Sequence, residues 1–223
     1  MWRYEHDGIL YQVDRQKAVV LKNTNNKKTE IFIPEMIQGK PITQISSKAF
    51  LASNVSEITY PDTIMLIGES AFADCKNLKS VKSYHADEKK AIDETFILIH
   101  DFAFRGCECL EVVMIEQKIN YVGIGAFAGC SSLKNLNAKI QKIRKDAFCG
   151  CSSLKYLILS DGAVLYSGCI DNSGIKHISV WGKLSIPKTI VNYFKKHNIK
   201  ICCNPHSNAA ELAYSGINVS FLW

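Results

Sequence analysis

Nine cysteines and six histidines are the residues of this 223-residue chain best suited to metal binding or nucleophilic chemistry. Two spacings invite it. Cys107-Glu108-Cys109 and Cys149-Gly150-Cys151 each hold two thiols two positions apart, as in half of a thiolate metal site. A tetrahedral site needs a second such half set face to face, and no Cys-x-x-Cys pair or histidine-rich segment supplies one. His6, His85, His100, His177, His197 and His206 are scattered along the chain. It also lacks His-Glu-x-x-His, Gly-x-Ser-x-Gly and a glycine-rich phosphate loop before Lys-Ser/Thr. The expectation is thiols that pack rather than react, with no metal, no cofactor and no enzymatic activity.

The elements that position these thiols are repeats. Ala-Phe occurs at Ala49-Phe50, Ala71-Phe72, Ala103-Phe104, Ala126-Phe127 and Ala147-Phe148, with steps of 22, 32, 23 and 21 between the alanines. Four residues before each Ala stands Ile45, Ile67, Ile99, Val122 or Ile143. Four after the last four alanines stands Cys75, Cys107, Cys130 or Cys151. Leu78, Leu110, Leu133 and Leu154 follow at seven, and Val81, Val113, Leu136 and Leu157 at ten. The first unit is one residue shorter, so Val55 and Ile58 fill its last two places. A sixth, eroded unit runs through Val164, Gly168-Cys169, Asn172, Ile175 and Ile178. A period in the twenties predicts a solenoid, in which each unit buries its apolar face only against its neighbours. The phenylalanines then stack as a spine, and four of the nine cysteines share one column as small apolar residues with a weak donor. Disulfides along that column would need neighbouring sulfurs aimed at each other.

Ile67-Gly68-Glu69-Ser70-Ala71-Phe72-Ala73-Asp74-Cys75-Lys76-Asn77-Leu78 and Val122-Gly123-Ile124-Gly125-Ala126-Phe127-Ala128-Gly129-Cys130-Ser131-Ser132-Leu133 both match a pattern of the form I-G-x-x-A-F-x-x-C-x-x-L. That unit resembles the BspA-type leucine-rich repeat. The resemblance covers roughly residues 31–180 and extends to Gly8–Val13 and to the tail Ser207–Trp223. It implies a curved, right-handed, β-rich α/β leucine-rich-repeat superhelix with caps at both ends. It also implies use in adhesion or protein binding, commonly on a bacterial or protist surface, and no catalysis.

The expected organisation is an N-terminal β cap over 1–33, repeats over 34–180 and a C-terminal α/β cap over 181–223. Ile9, Tyr11 and Val13 alternate as in a strand, and Asn23-Thr24-Asn25-Asn26 is a turn cluster. The long step of 32 holds a charged insertion, residues 85–94. It reads either as a recognition loop or as a tolerated surface insertion. Beyond it, Pro187 opens a helical pattern with Ile190, Val191 and Phe194 on one face. Ile199–Cys203 reads as a strand. Asn208–Glu211 has capping-box spacing, Gly216 marks a helix stop, and Ile217 to Trp223 alternates as a strand would.

No run of 18 apolar residues suggests a transmembrane helix. The start, Met1 to Asp7, lacks the apolar stretch of a secretory signal. Either the protein stays in the cytoplasm or an export signal has been removed from this chain, and the resemblance favours a cell-surface or secreted protein. The odd number of thiols leans towards a reducing compartment. A net charge of +6 and a pI near 8.8 are modest for a nucleic-acid binder, and the cluster Lys139, Lys142, Arg144, Lys145 has core-type Ile140 and Ile143 between its members. No nucleic-acid partner is expected.

If Leu78 and Val81 point inward, their neighbours form exposed columns. One runs Ser56, Lys79, Glu111, Lys134, Lys155, Lys176. The next runs Glu57, Ser80, Val112, Asn135, Tyr156, His177, and the third Thr59, Lys82, Met114, Asn137, Ile158, Ser179. Lys134, Lys155 and Lys176 should stand about 4.8 Å apart at the backbone. They form either a solvated edge or an attractor for an acidic protein surface or anionic glycan. Beside them Tyr156, Ile158, Val112 and Met114 form an apolar group rimmed by charge, as at interfaces, and His177, next after Tyr156 in its column, is a further candidate partner-binding residue. Two readings stay open: a binding or adhesion module using this strand face, or a structural repeat protein whose apolar patch meets a second copy in a homo-oligomer.

Overall fold

A computed structural model describes residues 1–85 and 95–221 of the chain. Apart from His85, the insertion at 85–94 lies outside the described residues. The chain begins with an antiparallel meander of β1 (Trp2–His6), β2 (Ile9–Val13) and β3 (Ala18–Asn23). It then winds as a β-solenoid of about eight coils. The coils contribute β4 (Glu30–Phe32), β5 (Met36–Ile37), β6 (Lys40–Ile45), β7 (Glu57–Pro61), β8 (Leu66–Ile67), β9 (Ser80–Tyr84), β10 (Phe96–Ile99), β11 (Val112–Met114), β12 (Lys118–Val122), β13 (Asn135–Asn137) and β14 (Lys139–Ile143). β15 (Tyr156–Leu165), β16 (His177–Val180), β17 (Leu184–Ser185), α1 (Lys188–His197), β18 (Lys200–Cys203), a 3-10 helix (Asn208–Ser215) and β19 (Val219–Phe221) complete it.

Two sheets flank the core. The longer runs β1-β2-β3-β6-β8-β10-β12-β14-β15-β16-β18-β19, and the shorter runs β13-β11-β9-β7-β4. Pairing between successive coils is parallel, which places each aliphatic column in register: Ile58 meets Val81, Val81 meets Val113, and Val113 meets Leu136. All of these are buried.

The Ala-Phe turns carry a ladder of their own. The amide of Phe72 donates to the Ala103 carbonyl at 2.7 Å, that of Phe104 to Ala126 at 2.7 Å, and that of Phe127 to Ala147 at 2.8 Å. The five Phe rings stack with centroids 4.9–5.4 Å apart and planes within 9°. Each ring is fully buried, and such burial is worth roughly 1.5–3 kcal/mol. The Ala beside each ring is buried too, where a larger side chain would overpack the next coil.

The thiols of the shared column follow the same spacing. Cys75 donates to the Phe50 carbonyl at 2.9 Å, Cys107 to Phe72 at 3.0 Å, Cys130 to Phe104 at 3.1 Å and Cys151 to Phe127 at 3.0 Å. Every one is a free thiol. The column is therefore a row of weak hydrogen bonds between coils, and none of its members is bridged.

Two details at the C-terminal end differ from expectation. Pro187 is the N-cap of α1, with extended backbone, and Lys188 takes the first helical position. The cap of the following helix is Ser207, whose hydroxyl accepts from the Ala209 amide at 3.1 Å, and the helix is 3-10. Asn208 instead binds both backbone groups of Leu184, which ties that helix to β17. Parallel pairing continues through β18 and β19, so this region extends the stack of strands.

Candidate functional site

The site grows from one irregular coil. Ile58 and Ile67 are nine residues apart, as are Val113 and Val122, and Leu157 and Leu165 are eight apart. Leu136 and Ile143 are only seven apart. Both ends of this short coil are held in the core, so the chain between them takes a shorter path. Lys139 and Ile140 of β14, rather than Asn137 of β13, then pair with Ile158 and Leu159 of β15. β13 therefore ends the shorter sheet, and no ladder joins it to β15. On either side the pattern is regular. The Asn135 amide donates to Glu111 at 3.2 Å and the His177 amide to Lys155 at 3.1 Å.

A groove of about 380 Å³ opens at this break, lined by Val112, Met114, Lys134, Asn135, Leu136, Asn137, Tyr156 and Ile158. Leu136 is buried at its floor, whereas Met114 and Tyr156 are 46% and 63% exposed. Tyr156 does not stand free: its ring stacks on His177 at 4.9 Å with planes 15° apart. A rigid aromatic wall, a thioether and two aliphatic side chains face a gap between strands. Such a surface accepts an apolar side chain and excludes its water.

The expected site residues divide accordingly. Val112, Met114, Lys134, Tyr156 and Ile158 converge on the groove, and His177 supports it from beneath the Tyr156 ring. Lys155 and Lys176 do not line it. The lysine row is not uniform: one member is paired with a carboxylate, and the other two donate to backbone carbonyls and keep their charge. Lys134 pairs with Glu111 at 3.0 Å, Lys155 donates to the Ser152 carbonyl at 2.7 Å, and Lys176 reaches the His197 carbonyl at 3.4 Å. Ser80, expected in an exposed column, is buried. Asn135 and Asn137 belong to the expected exposed columns and Leu136 to an inward one, but none of the three is among the expected site residues. The shortened spacing from Leu136 to Ile143 is the signal that would have found them.

A larger depression of about 550 Å³ lies on the longer sheet, lined by Glu69, Leu98, His100, Asp101, Asn120, Tyr121, Gln141 and Lys142. Two of its side chains, Asp101 and His100, are engaged within the fold, whereas the buried Asn120 Oδ1 has no hydrogen-bond partner among the described residues. The Asp101 carboxylate accepts from the Ile124 amide at 2.8 Å, and His100 meets the edge of the Tyr121 ring at 6.1 Å. Among the described residues no hydrogen bond links His100 to a carboxylate, so a base with an orienting partner is not assembled. Three of the core thiols, Cys130, Cys151 and Cys169, are poor nucleophiles as well. Burial pushes Cys130 well above the usual thiol range, and Cys151 and Cys169 up to about 12.

Comparison with known proteins gives two kinds of match. Residues 43–88 and 83–200 match the profile of the BspA type Leucine rich repeat region, in six copies. No curated protein sequence matches the chain. Among solved structures, the fold is similar to a T. pallidum Leucine Rich Repeat protein, with a TM-score of 0.60 and 20% identity over 90% of this chain and 98% of that one. It is also similar to a leucine rich cell surface protein from Faecalibacterium prausnitzii, with a TM-score of 0.52 and 18% identity over 93% of this chain but 46% of that one. At these identities the likeness is one of fold.

Proposed function

The chain belongs to the BspA-type leucine-rich repeat family, and on that premise we propose that it is a non-enzymatic protein-binding or adhesion module that works through its exposed strand face. The partner inserts an apolar side chain into the groove between β13 and β15. The observation that carries this reading is convergence: Val112, Met114, Tyr156 and Ile158, which come from two coils, surround one gap in an otherwise continuous set of strands. Tyr156 is the anchor. It is broad, braced by His177 and surrounded by charge, which is the character of an interface hot spot. The Lys155 and Lys176 side chains beside it favour a partner that carries acidic groups next to its apolar anchor. An anionic glycan would engage the lysines but leave the groove empty.

The test is a pull-down with the immobilised full chain against the paired variant Met114→Ser with Tyr156→Ala. Both side chains are exposed, so thermal melting should be nearly unchanged. Partners retained by the native chain should be lost from the variant. An identical set of retained proteins would reject the groove as the binding site. If the apolar patch serves self-association instead, light scattering at several concentrations will show a native oligomer that the same variant dissociates.

A further inference from the structure

We infer that β1 is a second, separate interaction surface, and that its occupant is β1 of another copy of this chain, paired antiparallel about a twofold axis through Tyr4. β1 is one edge of the longer sheet and, among the described residues, pairs only with β2. Exposed edges in natural proteins are usually blunted by charged side chains, by proline or by a bulge. Trp2-Arg3-Tyr4-Glu5-His6 has no proline and an unbroken register with β2, and its two charges, Arg3 and Glu5, are of opposite sign, so they can complement a second copy rather than repel it.

Hydrogen-bond parity decides which pairings are open to this edge. Asp7 and Gly8, both at positive φ, form a two-residue turn that makes His6 and Ile9 a mutually bonded pair. Bonding alternates along the strand, so Trp2, Tyr4 and His6 direct their backbone groups at β2. Arg3 and Glu5 direct theirs at the open edge. An antiparallel partner must match outward groups with outward groups. A dyad at Arg3 sets arginine against arginine, and a dyad at Glu5 sets glutamate against glutamate. A dyad at Tyr4 sets Arg3 against the second copy's Glu5, and Glu5 against its Arg3. Both cross-strand ion pairs are then satisfied together with their backbone bonds.

The side chains agree with this register. Glu5 is already oriented, since it accepts from the Thr24 hydroxyl at 2.6 Å, and its second oxygen is available to an incoming arginine. On the opposite face Trp2, Tyr4 and His6 share one side, with Tyr4 and His6 stacked at 6.3 Å. Tyr4 packs on the core and Trp2 is 45% exposed. Dyad pairing brings Trp2 over the second copy's His6 and Tyr4 against its counterpart, which continues the apolar face across the junction. The pairing is isologous and closes at two copies.

Sedimentation velocity of the native chain over a concentration series tests this. The expected result is a monomer–dimer equilibrium. Arg3→Glu and Glu5→Arg should each weaken the dimer roughly ten- to hundredfold, because each turns two attractive pairs into repulsive ones. An equimolar mixture of the two variants should dimerise again, as should the chain carrying both changes. Circular dichroism melting checks that each variant is folded. A monomer at every concentration, assembly beyond two copies, a dimer indifferent to Arg3→Glu, or a mixture that fails to recover would each overturn the inference. A dimer lost on Tyr156→Ala would also overturn it, because association would then run through the groove.

Discussion

Phe104 and Cys130 lie in successive coils, and the Cys130 thiol donates to the Phe104 carbonyl at 3.1 Å. The same oxygen accepts the Cys107 amide of its own coil at 3.2 Å. Both acceptor sites of a fully buried carbonyl are thereby used, one within the coil and one between coils. This explains why the column holds cysteine rather than valine: the position calls for an apolar volume that still carries one donor.

Replacing Cys130 tests that account. Cys130→Val keeps the volume and removes the donor, whereas Cys130→Ala removes both. The valine variant should lose about 0.5–1.5 kcal/mol, and the alanine variant should lose more because of the space it leaves. Chemical denaturation measures both. A valine variant as stable as the native chain would mean that the thiol contributes volume alone.

Phe127 lies between the rings of Phe104 and Phe148 at 5.1 and 5.4 Å. Phe127→Ala should cost about 3–5 kcal/mol, the range for an aromatic side chain removed from a closed core. A denaturation midpoint that did not move would contradict a shared spine.

Alkali should destabilise the fold through its buried thiols. Burial raises Cys151 and Cys169 from 9.0 to about 12, so between those values the unfolded chain releases protons that the folded chain retains. Stability is intact below about pH 9 and falls as pH rises above it, by about 1.4 kcal/mol per thiol per pH unit while the folded thiol stays protonated. Denaturation at several alkaline pH values, compared with Cys151→Ala, measures this. Alkylation of the native protein should reach the exposed Cys109 first and leave Cys130 and Cys151 unmodified.

Gly123 is required by space, not by backbone conformation. A methyl group there would stand 2.5 Å from the Asp101 amide nitrogen and 2.6 Å from the His100 carbonyl carbon of the preceding coil. Gly123→Ala should therefore push two coils apart and cost about 1–3 kcal/mol by overpacking. Gly68, pressed against Ser46 and Ser47, should behave alike. Thermal melting decides, and a neutral Gly123→Ala would show that the coils can slide.

The break between β13 and β15 should be visible in hydrogen exchange. The amides of Asn135 and His177 are held by carbonyls of the preceding coils, whereas Tyr156 faces the interruption. Tyr156 should exchange faster than either. Inserting two residues after Asn137, which restores the nine-residue spacing, should slow it and fill the groove. Equal protection of all three amides in the native chain would argue that the ladder is continuous.

Much of this was legible in the sequence because a solenoid converts periodicity directly into contact. Once Phe104 and Phe127 occupy equivalent places in successive coils, parallel stacking brings their rings together. The same holds for Val113 beside Leu136 and for the inward columns generally. Helix α1 was readable from its apolar face, because Ile190 and Phe194 must turn to the core. The cap at Ser207 was not, since Asn208 is an equally good capping residue and only its bonds to Leu184 take it out of contention.

Residue types and spacing determined the coil and its core, because those follow from which side chains must leave water, and they left the positions between the inward residues to the open face. What lies between coils was decided only by the tertiary structure. Lys134 meeting Glu111, the thiols finding the phenylalanine carbonyls and the missing ladder between β13 and β15 all depend on how one coil seats on the next. Displacements of an ångström or two make or break such bonds, and a one-dimensional pattern of letters does not contain them.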